Sequence, residues 1–137
     1  MFAIHDSCCH HYDHHSHPAH SFARPHTPFR VPREFWDLYR TEDIALPKHQ
    51  LPPQDMPGMA YMAQSFRDTK TGVLWPINVS HPLPDEVART ARHAYYASVS
   101  FLDEQIGRVL SELEELDLVD ETVVVLHGDH GAYIHGH

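Results

Sequence analysis

The chain has 137 residues, which suits one domain or part of a larger one. Ten basic residues face nineteen acidic ones, for a formal charge of −9, which argues against a nucleic-acid backbone as partner because phosphates require a positive surface, although the fifteen histidines would shift that balance in acid. Apolar residues make up 42%, enough for a core, yet no apolar run approaches the roughly 20 residues of a membrane helix, so no membrane span is expected.

Residues 1–20 are expected to be a disordered leader. The stretch "HDSCCHHYDHHSHPAHS" holds seven histidines and almost nothing that packs. Its imidazoles and thiols would take up borderline metals adventitiously. The adjacent pair Cys8 and Cys9 defines no disulfide framework, since a bond between neighbours is strained. The N-terminus has neither the basic start nor the apolar stretch of a signal peptide.

Ser21 to Pro84 reads as loop, because ten of the eleven prolines fall there. Proline fixes φ and removes an amide donor, which disfavours long helices and central strands. A short helix is predicted at "PREFWDLY", with Pro32 near its first turn. Phe35 and Tyr39, four residues apart, with Leu38 beside them, form its expected buried stripe. "LPPQDMPGMAY" reads as extended loop, and Asn78–Val79–Ser80 is a glycosylation sequon.

From Pro84 to Leu118 the period changes to three and four residues, through Val87, Ala91, Ala94 or Tyr95, Val99, Leu102, Ile106, Val109, Leu110 and Leu113. That is a helix, with Pro84, Asp85 and Glu86 suited to its start. Its length predicts either a break or one long helix across a large sheet, and Gly107 marks a kink or a close contact. "TVVVL" then suits a strand buried on both faces, which needs further strands beside it.

After that strand come Gly128, Asp129, His130 and Gly131. In open α/β sheets ligands gather at the carboxyl ends of strands. A carboxylate there is a hard ligand for Ca²⁺, and an imidazole ligates softer metals or donates to an anion. The same residues equally suit an ordinary strand-to-loop turn in which Asp129 caps the next segment.

The second half resembles the sulfatases of the alkaline-phosphatase-like superfamily. Tyr95, Ala97, Val99, Asp103, Ile106, Gly107, Val109, Leu110 and Leu113 stand where that family carries Y-x-A-x-V-x-x-x-D-x-x-[IV]-G-x-[IVL]-L-x-x-L. Asp129–His130–Gly131 stands at its D-[HN]-G signature, with Gly128 in place of the common serine or threonine. Upstream, Pro25, His26, Pro28, Phe29, Pro32 and Phe35 are similar to its P-H-x-P-[FY]-x-x-P-x-x-[FY] segment. "PHTPFRVPREF", "ASVSFLDEQIGRVLSEL" and the sequon resemble most the iduronate-2-sulfatase branch.

The resemblance implies a partial α/β sulfatase domain over residues 21–137, with a long helix, a buried strand and a Pro-rich loop region. It implies hydrolysis of a sulfate ester, the 2-O-sulfate of iduronate in heparan or dermatan sulfate, and hence a lysosomal or secreted location. A Ca²⁺ ion would hold a formylglycine nucleophile and the sulfate oxygens, a natural stabiliser of charge on a transferring sulfuryl group. Asp129 would ligate Ca²⁺, and His130 would join that shell or contact sulfate. His26 would contact sulfate or assist the leaving oxygen; the plain alternative is a loop histidine capping a carbonyl. Asn78 would carry glycan in a secretory pathway.

Three departures stand against the pattern. No C-x-P-S-R is present, and His10, His11 and Tyr12 come directly after the cysteines, so the formylglycine nucleophile has no source here. The family's first-strand aspartate pair is absent. "YIHGH" replaces the usual G-E-H-G, so the segment reads as an internal slice whose 137 residues alone are expected to be inactive and to bind Ca²⁺ weakly. Two other readings share some of these features: a phosphate or phosphonate ester hydrolase of the same superfamily, and a non-enzymatic metal-binding protein built on the His-rich leader. Nothing in the sequence speaks to oligomeric state.

Overall fold

The computed structural model describes residues 19–48, 54–55, 64–67, 72, 74–77 and 83–131. The leader up to residue 18 and Asn78 therefore lie outside the described residues. The elements run α1 (Arg33–Trp36), a 3-10 turn (Thr41–Asp43), β1 (Gln64–Arg67), β2 (Leu74–Ile77), α2 (Asp85–Glu115) and a second 3-10 turn (Val119–Glu121).

The helix expected at "PREFWDLY" is a single turn, capped by Pro32 in extended backbone (φ −56°, ψ 149°). Phe35 is buried and meets Phe101 edge-on at 5.2 Å. Leu38, expected in the buried stripe, is exposed instead, and Trp36 supplies the packing. One turn presents too narrow a face to bury residues on both sides of it.

β1 and β2 pair antiparallel, with Ser65 opposite Pro76 and Phe66 opposite Trp75. The proline-rich stretch was expected to be loop. In a two-stranded ribbon each strand has one unpaired side, so a residue without an amide donor is tolerated where a central strand would reject it.

α2 is 31 residues long with Pro84 as its N-cap and Asp85 and Glu86 in its first turn. It spans about 46 Å at 1.5 Å per residue. No proline interrupts it, and at Gly107 an added Cβ would meet nothing within 4 Å. The close contact expected there is absent among the described residues, and the helix runs through Gly107 without a break. The helix ends in a Schellman arrangement: the Leu118 amide donates to the Leu113 carbonyl (3.1 Å) and the Asp117 amide to that of Glu114 (3.0 Å). Asp117 takes the left-handed position (φ 58°) that glycine usually fills.

The core lies on the first half of α2. Ala88, Ala91, Ala94, Ala97 and Ser98 make a buried face of small residues. Small side chains let the segment 29–44 lie close along the helix, with Phe35 and Ile44 buried against it and Leu83 buried just ahead of the helix start. The stripe expected from the sequence is half correct. Ala91 and Ala94 are buried, but Val109 and Leu110 are exposed, because the segment that covers the helix reaches only its first half, and Val99 is exposed because it lies on the side of that half turned away from the segment.

The buried strand expected at Thr122–Leu126 is not formed. Thr122 is extended (φ −122°, ψ 126°), but Val123 and Val125 are 89% and 77% exposed, and among the described residues no ladder includes them. A strand covered on both faces needs neighbours on both edges, and the described residues supply none. The sheet edge that was to carry Asp129 is therefore absent among them.

Replacing Gly107 by alanine is expected to stabilise the chain by about 0.5–1 kcal/mol, since the helix loses an entropically costly residue and gains no clash. Urea unfolding measures it. A lowered midpoint would mean that another element packs at Gly107.

Candidate functional site

His26 sits in a turn built from few amide donors, because Pro25 and Pro28 have none. The His26 amide donates to the Ala23 carbonyl (3.0 Å), and the Arg30 amide to that of Pro28 (2.8 Å). The guanidinium of Arg24 donates through Nη1 to the carbonyls of His26 (3.2 Å) and Pro28 (3.1 Å). The ring of His26 lies with Nδ1 2.6 Å from the Thr27 carbonyl oxygen. A carbonyl only accepts, so Nδ1 carries the hydrogen, and Nε2 has no partner among the described residues. His26 is exposed, and its Nδ1 shows the carbonyl-capping geometry of an ordinary loop histidine. Its Nε2 remains available for an oxyanion or a proton.

The residues just after the turn anchor it to α2. Phe29 meets Tyr95 edge-on at 6.0 Å. Further along, Trp36 stacks on His93 with ring centroids 3.8 Å apart. The Nε2 hydrogen of His93 goes to the Trp36 carbonyl (2.8 Å), and its Nδ1 meets the Thr41 hydroxyl at 2.7 Å. The Tyr39 and Ser100 hydroxyls share a bond of 2.6 Å, and Arg89 donates to the Ile44 carbonyl. Sequence reasoning missed His93. One imidazole on a helix carries no local signal, and its partners lie 57 and 52 residues away.

Asp129 and His130 form a local pair. The Asp129 carboxylate accepts from the amide of the next residue, His130 (2.9 Å), a contact within the turn itself. Its other oxygen is 3.6 Å from His130 Nε2. His130 Nδ1 donates to the Gly131 carbonyl (2.8 Å). That carbonyl first, and the Asp129 charge second, raise the His130 imidazole above its ordinary value. Both side chains are open to water, 88% exposed for Asp129 and 75% for His130, so their attraction is strongly screened.

No group of three or more His, Cys, Asp or Glu side chains converges among the described residues. His26 is thus not brought into one shell with Asp129 and His130. Ca²⁺ takes six to eight oxygens, and a single carboxylate supplies at most two. The described residues do not by themselves fit that ion.

The family model for sulfatases matches residues 19–137. The chain belongs to the sulfatase family. It is 38% identical over 112 residues to iduronate 2-sulfatase of Mus musculus, a match that covers 80% of this chain and 20% of that protein. The figures for iduronate 2-sulfatase of Homo sapiens are the same. Choline-sulfatase of Rhizobium meliloti (strain 1021) is 29% identical over 111 residues, covering 81% of this chain and 20% of that protein. The chain spans about a fifth of the length of these relatives. Membership implies the α/β alkaline-phosphatase-like fold, of which the described residues show the long helix. Among the described residues no helix is long and apolar enough to cross a membrane.

Calorimetry on the chain is expected to show Ca²⁺ binding no tighter than a Kd of about 10⁻³ M, the weak end for this ion. Submicromolar binding would mean that further ligands gather around Asp129.

Proposed function

We propose that these residues are part of a sulfuric ester hydrolase that removes the 2-O-sulfate of iduronate in glycosaminoglycans, in lysosomes or outside cells. The family match over residues 19–137 carries the reading, and the 38% identity to iduronate 2-sulfatases supports the substrate. In this reading His26 and His130 face the sulfate, and Asp129 contributes to a Ca²⁺ shell completed by residues beyond the described set. Asn78 carries glycan.

The chemistry assigned to each side chain rests on its hydrogen bonds. With Nδ1–H of His26 held on the Thr27 carbonyl, Nε2 is the nitrogen that meets the ester. Protonated there, it donates to a sulfate oxygen or to the leaving alkoxide, a role worth about 10²–10⁴ in rate for a positioned acid. His130 stays protonated to higher pH than a free imidazole, which favours binding of an anion below its raised value and weakens it above. The open faces of Val99, Val109, Leu110 and the Val123–Leu126 run fit a chain that packs against further strands of the domain.

The test is turnover by the whole protein that contains residues 19–137. Release of sulfate from a 2-O-sulfated iduronate disaccharide is expected, reduced at least about 10²-fold by His26→Ala and by Asp129→Asn. The 137-residue chain alone is expected to release none. Faster release of phosphate from a matched phosphate ester, or full activity in both variants, would refute the reading.

A further inference from the structure

We infer that Arg24 is the positioning residue for His26: its guanidinium closes the Pro–His turn and so selects which ring nitrogen of His26 faces outward. The inference rests on the reading of His26 as the sulfate-facing imidazole and adds the group that sets its tautomer.

The turn is short of donors. Between Arg24 and Arg30 the backbone offers amides only at Arg24, His26, Thr27, Phe29 and Arg30, because Pro25 and Pro28 lack them. Two of these are used to close the turn, His26 onto Ala23 and Arg30 onto Pro28. The carbonyl of His26 receives its hydrogen bond from the Arg24 side chain, and that of Pro28 receives a second one from the same Nη1. A guanidinium suits this duty because it is planar, always charged, and carries five donors in a fixed fork. Charge assistance makes such bonds stronger than neutral ones.

The consequence reaches the ring. The carbonyls of His26 and Pro28 flank that of Thr27, which takes the Nδ1 hydrogen of His26. With the flanking carbonyls pinned by one cation, the peptide between them is held where Nδ1 reaches Thr27 at 2.6 Å. Nε2 is then the free nitrogen. Without Arg24 the two carbonyls turn to water, the Thr27 carbonyl leaves the ring, and the hydrogen redistributes between the two nitrogens. Arg24 touches no substrate in this scheme. It acts through His26.

Imidazole ¹⁵N spectroscopy on the labelled full chain, recorded along a titration into alkaline buffer until the ring shifts stop changing, reads the tautomer directly. His26 is assigned by its loss in His26→Gln. Wild type is expected to show the Nδ1–H form at His26. Arg24→Ala is expected to move both ring nitrogens towards the averaged shifts of free histidine, while His130, held on the Gly131 carbonyl, keeps its own signature. Arg24→Lys, which keeps a charged donor, is expected to retain most of the Nδ1–H form. An unchanged His26 tautomer in Arg24→Ala would overturn the inference, as would an Nε2–H form in wild type. Arg24 lies outside the Phe35–His93 core, so helical circular dichroism is expected to be unaltered in both variants. If Arg24→Ala loses it, loss of the Nδ1–H form in a folded Arg24→Lys overturns the inference and its retention supports it. The readout needs no sulfate ester, so it stands or falls separately from the proposed activity.

Discussion

The described structure depends on one buried imidazole. His93 is 2% exposed, yet both of its ring nitrogens and one ring face are engaged by the segment 29–44. A buried polar group without a partner costs about 1–3 kcal/mol, so the Trp36 carbonyl and the Thr41 hydroxyl are positioned by the need to satisfy it. The small residues on the same helix face make room for this approach. Alanines at 88, 91, 94 and 97 gain little by themselves on burial, but they let an irregular, proline-rich segment lie against a regular helix. Tyr39 bonded to Ser100, and Phe35 set against Phe101, extend the same seam by two more turns.

That seam is what gives the His26 turn a fixed place. A turn with two prolines and few amides has no ladder of its own, and side chains add to its two backbone hydrogen bonds. Arg24 closes it from within, and Phe29 on Tyr95 ties it to the helix from without. The far end of α2 has no comparable covering. Beyond Gln105 Val109 and Leu110 stand open, and the helix closes with acids, Glu112, Glu114, Glu115 and Asp117, at the end where its dipole disfavours them. Asp129 and His130 come next on an uncovered stretch, and their mutual contact is of the kind that water screens. One half of the proposed site is held by this chain. The other half depends on partners that the described residues do not contain.

The division explains what could be read in the sequence. The start of α2 was legible because its signals are local, proline and two acids followed by an uninterrupted three- and four-residue period; its end falls at Glu115, short of the expected Leu118, because Asp117 takes the left-handed position that stops it. The Asp–His pair was legible as a turn from its composition, and the Pro–His segment only as loop, singled out by its resemblance to a family motif. The tautomer of His26 was not, because it depends on where one carbonyl points. His93 was hidden for a different reason. Its role is created by Trp36 and Thr41, more than fifty residues away, and a helical period assigns such a residue to no face in particular. The pairing of β1 with β2 was hidden by Pro76, which argues against a central strand but not against a two-stranded ribbon. The run Thr122–Leu126 has strand composition, but burial is a property of neighbours, and composition cannot supply them.

His93 couples the segment 29–44, which follows the His26 turn, to α2. A double-mutant cycle between Trp36→Ala and His93→Ala, read by urea unfolding of the full chain, measures that coupling. Trp36→Ala removes the stacked ring and keeps the carbonyl that His93 bonds, so the cycle reads the stack; a coupling above about 0.5 kcal/mol is expected, whereas independent sites add to within about 0.3–0.5 kcal/mol. A coupling indistinguishable from zero would mean that the segment does not dock on the helix through this imidazole.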